Sequence, residues 1–201
     1  MTINKIQFSN NTWQFLAVLT VFFLLFSLTL PKVQAGEVSA QVHSGAEENA
    51  IGYSFIFTDT FTTNRNYRWG IGYSYLDELK ATWRGEEEFF NNDNIDAFVA
   101  YRFYPRSYNS FWRAVNFEFQ LGASISLTEN KFVFEKFPDQ EVVFSEKNDV
   151  NFMLAAVAQY QLSKETQLQV GYKYYPEFSE FDDQGSIFVG FTYQFGRKFS
   201  Y

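Results

Sequence analysis

The chain has 201 residues with one histidine and no cysteine. Its chemistry must therefore rest on carboxylates, hydroxyls and the basic side chains. Without cysteine there is no disulfide framework, no thiolate-held metal and no thiol nucleophile. His43 is followed directly by Ser44, but a lone imidazole with no placed nucleophile is read as a polar residue inside or at the rim of the fold. Glu86-Glu87-Glu88 with Asp93, and Glu180 with Asp182-Asp183, offer oxygen atoms to a divalent cation but lack the spacing of a calcium loop. They read as solvated acidic segments. No metal, cofactor or catalytic group is assigned, and no enzyme activity is expected. A pI near 4.8 argues against a general nucleic-acid or anionic-lipid binder, whose binding surface would be basic. Five charges are more informative. Arg68, Asp96, Arg102, Glu118 and Lys173 each occupy a polar position within an alternating apolar segment, and the segments that carry them decide what they can do.

The first segment is of another kind. Trp13 to Leu30 is almost continuously apolar, preceded by Lys5 and ended by Pro31, and Val33-Gln34-Ala35 sets small residues before Gly36. This is the pattern of a signal peptide cut after Ala35, giving a leader (1–35) and a mature domain (36–201). An uncleaved anchor is the alternative, since the run is nearly long enough to span a bilayer. Cleavage removes Lys5 and Lys32 and no acid, taking the net charge from −7 to −9.

The mature chain alternates with period two. From Val115 to Leu127 every odd-numbered residue is apolar and every even-numbered one is polar or glycine, the signature of a strand with one apolar and one polar face. The run is longer than an ordinary half-buried strand and long enough to cross a bilayer at a tilt. The pattern recurs around Tyr67–Tyr75, Ile95–Phe103, Val150–Tyr160, Leu168–Tyr174 and Ile187–Phe195, and more weakly around Val38–Val42 and Ile51–Phe57. Eight strands result, an even number that lets an antiparallel barrel close with both termini on one side. With the termini periplasmic, the outward connections are 45–49, 85–93, 131–147 and 177–184, mostly long and acidic, and the inward ones are the shorter 59–66, 105–110 and 163–166. Within 131–147, Phe132-Val133-Phe134 and Val142-Val143-Phe144 suggest that strands five and six continue as a hairpin.

Which face meets lipid follows from where the tyrosines stand. The chain is 21% aromatic, and Tyr67, Tyr73, Tyr75, Tyr101, Tyr160, Tyr172 and Tyr174 fall on the apolar face near strand ends, as in the girdles of a membrane barrel. The opposite face carries Arg68, Asp96, Arg102, Glu118 and Lys173. The interior of an eight-stranded barrel is just filled by its own side chains, so a plugged polar lumen is expected. Unpaired buried charge is costly, so Glu118 should pair with Arg102 or Arg68 and Lys173 with Asp96. The alternative is a secreted barrel or sandwich with the apolar face inward.

The C-terminal residues add a motif. Gly196, Phe199 and Tyr201, with Gly190, Tyr193 and Phe195 one step earlier, resemble the β-signal read by the barrel assembly machinery. Together with the leader and the alternation, the mature chain resembles the small eight-stranded outer-membrane barrels of the OmpA transmembrane domain and OmpX type. The resemblance implies an all-β transmembrane barrel in the outer membrane, with lipid and lipopolysaccharide as its surroundings, and a monomer. Three functions fit it: a structural or surface-interaction protein, a narrow pore or carrier of small hydrophobic molecules, and a lipid A-modifying hydrolase. The third is disfavoured, because lipid A deacylases place His and Ser two apart on a late strand, where this chain has no histidine.

Overall fold

A computed structural model describes residues 36–44, 51–61, 65–133, 139–178 and 182–196. The leader expected over 1–35 lies outside the described residues, as do the first outward connection, Phe199 and Tyr201. Among the described residues are ten strands and one short helix: β1 (Gly36–Ser44), β2 (Ile51–Thr60), β3 (Tyr67–Trp83), β4 (Glu86–Phe103), α1 (Ser110–Ala114), β5 (Val115–Ser126), β6 (Asn130–Val133), β7 (Glu141–Ser145), β8 (Val150–Gln161), β9 (Thr166–Phe178) and β10 (Asp182–Phe195). Eight of them form a closed antiparallel barrel in the order β1-β2-β3-β4-β5-β8-β9-β10, with β10 returning to β1. Closure pairs Gly36 with Phe195 and Val42 with Val189, so both termini of the barrel lie at one end. Every backbone group along the strands can thus find a partner without water, as hydrocarbon surroundings require.

Period two sorts the side chains. Outward-facing Ile71 (48%), Val99 (49%), Phe119 (61%) and Val189 (51%) are widely exposed, whereas inward-facing Arg68, Asp96 and Glu118 are at 0–1%. The exterior is banded. Tyr67, Trp69, Tyr101, Tyr160 and Tyr193 ring the terminal end, and Tyr53, Tyr73, Tyr75, Tyr172 and Tyr174 ring the other. Aromatic rings pack within each girdle, Tyr67 with Tyr101 at 5.3 Å and Tyr53 with Tyr75 at 5.1 Å between centroids. Aliphatic Ile71, Val99, Leu121, Val170 and Val189 lie between them. An apolar belt between two aromatic girdles is the exterior of a barrel that spans a bilayer.

Three outward connections differ from their sequence reading; of 177–184, residues 177–178 end β9 and 182–184 begin β10. Residues 86–93, expected as part of an acidic loop, are the first half of β4 and pair with β3 up to Trp83↔Glu86. The reversal is two residues long, Arg84 (φ 49°) and Gly85 (φ 84°), and two successive positive φ values make the tight turn that matches strand twist. The run of three glutamates conceals the alternation here. Its hairpin is held by pairing to the neighbouring strand, with Lys80 and Glu87 in an ion pair at 2.6 Å. Residues 131–147 contain a separate two-stranded hairpin, β6 with β7. Phe132 and Phe144 of that hairpin meet Phe90 of β4, the rings of Phe90 and Phe144 stacking at 6.0 Å. In the inward connection after β4, Asn109 caps α1 by accepting from the Phe111 amide at 2.8 Å, a short helix that the sequence reading left as a turn.

Candidate functional site

The lumen is layered, and the inward residues of β4 mark the layers in order: Phe90, then Asn92 and Asn94, then Asp96, then Phe98 and Ala100, then Arg102. At the terminal end lies a four-membered ionic cluster. Arg102 and Glu118 face each other directly across the β4–β5 pair, and Arg102 Nε donates to Glu118 Oε2 at 2.7 Å. The same guanidinium reaches across the lumen to Glu37 on β1, Nη1 donating to Oε1 at 3.0 Å and Nη2 to Oε2 at 2.8 Å, a two-pronged contact that fixes orientation as well as charge. Arg68 of β3 lies 2.8 Å from Glu37 and 3.6 Å from Glu118. Gln120 donates to the remaining Glu118 oxygen at 2.9 Å. Two arginines and two glutamates therefore neutralise one another inside the barrel.

The second ionic layer is a pair with a tail of hydroxyls. Lys173 of β9 crosses the lumen to Asp96 of β4 at 3.0 Å and donates to Ser74 at 3.2 Å. Ser74 bonds Asp96 as well. From Ser74 the chain of contacts continues to Ser54 at 2.9 Å, to His43 Nε2 at 2.5 Å, and from His43 Nδ1 to Ser186 at 3.0 Å. His43 is 2% exposed, and its ring lies tilted against that of Phe188 at 5.3 Å between centroids. The lone imidazole is thus a buried structural connector among serines, inside the barrel and away from its lipid-facing surface.

Between the ionic layers Ile56, Phe98 and Met153 fill the lumen beside the buried polar Ser39, Gln120 and Thr192. Room for Phe98 comes from glycines on both neighbouring strands. A Cβ at Gly70 would lie 2.3 Å from the Phe98 ring, and one at Gly122 would lie 2.2 Å from the Ala97 carbonyl. Towards the end away from the termini, Leu76, Leu79, Phe90, Val142, Phe144 and Tyr175 continue the same hydrophobic cluster. Gln184 Nε2 donates to the Lys80 carbonyl at 2.7 Å, tying β10 to the β3–β4 hairpin. The interior is less uniformly polar than the alternation suggests.

All five charges singled out by spacing lie in these two layers. Glu37 was missed, although it shares the parity of Ser39, Gln41 and His43 and one further step of the β1 alternation reaches it. Among the described residues no group of three or more His, Cys, Asp or Glu is arranged to hold a metal ion. Of the C-terminal motif, Gly190, Tyr193 and Phe195 belong to β10, and Gly196 follows it with φ 73°. The Gly190 backbone passes so close to β1 that a Cβ would meet the Ala40 carbonyl at 2.2 Å.

No protein-family model matches the chain, and no curated protein matches it. Among solved structures, the N-terminal β-barrel domain of Pseudomonas aeruginosa OprF matches with a TM-score of 0.55 at 9% identity, over 81% of this chain and 98% of that one. Neisserial surface protein A matches at 0.48 and 15% identity, over 79% of this chain and 94% of its own. Yersinia pestis Ail matches at 0.47 and 13%, over 81% and 99%. The OprF likeness is one of fold, and the chain has the architecture of the small outer-membrane β-barrels.

Proposed function

We propose that the protein is an integral outer-membrane barrel with a structural or surface-interaction role, and that its lumen is plugged. The observation that carries this reading is the cluster of Glu37, Arg68, Arg102 and Glu118, which bridges the lumen from β1 to β4 and β5 with contacts of 2.7–3.0 Å. The apolar side chains above it and the tied hairpin at the far mouth support the same reading. Planar bilayers containing the purified barrel should show no single-channel steps, and Glu118→Ala should stay silent because Glu37 still holds both arginines. Steady conductance from the unaltered protein would instead favour a narrow pore.

In this reading the leader directs export, the barrel assembly machinery recognises the last strand, and the folded monomer sits in phospholipid and lipopolysaccharide. The termini lie on the periplasmic side, so the β3–β4 and β6–β7 hairpins face the exterior. Acidic Glu86, Glu87 and Glu141, beside half-exposed Phe89 and exposed Val133, give those hairpins a mixed acidic and apolar surface suited to a protein partner. Shortening β3–β4 to a turn joining Tyr75 to Asp93 should abolish a partner's capture while the barrel still inserts. No enzymatic role is proposed, because His43 and the serines around it are enclosed by the barrel wall and cannot meet an acyl chain. Deleting the gene should therefore leave the acyl pattern of lipid A unchanged by mass analysis.

A further inference from the structure

The barrel's terminal rim carries a built cleft that the lumen does not explain. Where the chain leaves β4 and turns through α1 into β5, an open cleft of about 340 Å³ remains between the helix and the ends of β4, β5 and β8, with Tyr104, Ser110, Arg113, Asn116 and Gln161 on its walls. Asn116 is 3% exposed, and its amide oxygen has no hydrogen-bond partner. A buried acceptor left open in this way costs free energy unless something donates to it. Arg113, on the helix, is exposed and has no carboxylate partner among the described residues. Buried Asn116 and exposed Arg113 thus line one cleft.

Two wider features indicate what fills it. Immediately outside the cleft, Phe103, Phe111, Trp112 and Tyr160 are 36–52% exposed, and Phe111 packs on Trp112 at 5.4 Å and on Tyr160 at 5.5 Å. This is an apolar wall continuous with the membrane girdle. The charge at the two ends of the barrel also differs in sign. Arg65, Arg106, Arg113 and Lys164 outnumber Asp59 and Glu165 at this end, whereas at the other the acids, Glu86, Glu87, Glu88, Glu129, Glu141 and Glu146 among them, outnumber Lys80, Arg84, Lys131 and Lys147.

We propose that this cleft binds the headgroup of a glycerophospholipid from the inner leaflet, a site that rests on the membrane reading above. The phosphodiester pairs with the Arg113 guanidinium and the Ser110 hydroxyl. The headgroup's terminal N–H or O–H donates to the Asn116 amide oxygen, and the acyl chains run along Phe111 and Tyr160. Because the open group on Asn116 is an acceptor, the site prefers headgroups that end in a donor. It selects phosphatidylethanolamine and phosphatidylglycerol over phosphatidylcholine, whose quaternary ammonium has no N–H to give.

The test is native mass spectrometry of the processed barrel, extracted from membranes, delipidated and titrated with each of the three lipids in one detergent. The two donor-bearing lipids should be retained at concentrations about tenfold lower than phosphatidylcholine, the effect of one charge-assisted or well-placed hydrogen bond. Arg113→Gln and Arg113→Ala should weaken retention of all three. Asn116→Leu should erase the preference and leave phosphatidylcholine retention unchanged. Equal retention of the three lipids, or indifference to both Arg113 variants, overturns the site. Each protein is also added to phosphatidylcholine vesicles and followed by heat-modifiable gel migration. A chain that inserts but shows no preference loses only the headgroup site, whereas one that never inserts refutes the membrane reading itself.

Discussion

At the scale of single residues, the interior charges are not interchangeable. Glu37 accepts from Arg102 through both oxygens and also lies against Arg68, so Glu37→Ala leaves two guanidinium groups with only Glu118 between them. Breaking a buried ionic contact in this way costs on the order of 3–5 kcal/mol. We predict a correspondingly lower urea midpoint for the barrel in vesicles. Replacing both members of the other pair, Lys173→Met with Asp96→Leu, removes charge and counter-charge together, and the midpoint should stay the same or rise. If the double variant unfolds as readily as Glu37→Ala, the Lys173–Asp96 contact is more than a compensated pair. Sequence placed the five charges on the inner face because parity alone determines facing. Pairing across the lumen was expected of these five, but that Glu37 joins Arg102 and Arg68 depends on which strands stand opposite each other in the closed ring.

At the scale of elements, close approaches and turns decide tolerance. Gly70→Ala directs a methyl at the ring of Phe98, whereas Gly122→Ala directs one at the Ala97 carbonyl. Each should destabilise by about 1–3 kcal/mol through overpacking. Only the first should be relieved by adding Phe98→Leu, because a ring can be exchanged and a backbone oxygen cannot. Urea midpoints of the two double variants settle the contrast. At the β3–β4 turn, Gly85→Val places a branched side chain at φ 84°, a conformation only glycine adopts at no cost. The hairpin tip should then be cut more readily by added protease while the barrel keeps its heat-modifiable migration. The eight barrel strands were legible because each alternates over its membrane-facing part, β1 and β2 more weakly than the rest. The upper halves of β3 and β4 were not. Three successive glutamates, then paired Phe89-Phe90 and Asn91-Asn92, have no period of two, and their strand character comes from the partner strand. The β6–β7 pair was legible from its two short apolar triplets, and α1 was too short to leave a periodic trace.

At the scale of the whole molecule, the decisive property is where apolar and ionic surfaces lie. The chain contains no cysteine, so single substitutions such as Leu121→Cys and Gln120→Cys can carry a spin label without interference. In vesicles we predict that the label at position 121 meets dissolved oxygen and is hidden from a water-soluble paramagnetic ion, and that the label at position 120 meets neither readily. A label at 121 that meets the ion freely would mean water bathes that surface. Girdles and belt were readable from the sequence because tyrosines gather near strand ends on one parity. The interior layers were not, since Ile56, Phe98 and Met153 interrupt the polar parity and only the closed ring shows that they fill one level.

Glu37 stands on the first strand of the barrel, and that strand is joined to the last. The clasp it forms with Arg68 and Arg102 therefore locks only after the C-terminal strand has zippered against the N-terminal one. Until then two cations in the middle strands lack half of their neutralising charge and must keep company with water. A nascent barrel stalled one strand short would be wet and loosely held. In the finished one all four charges are at 0–1% exposure, which makes the ionic cluster a latch on completion as much as a filling for the core.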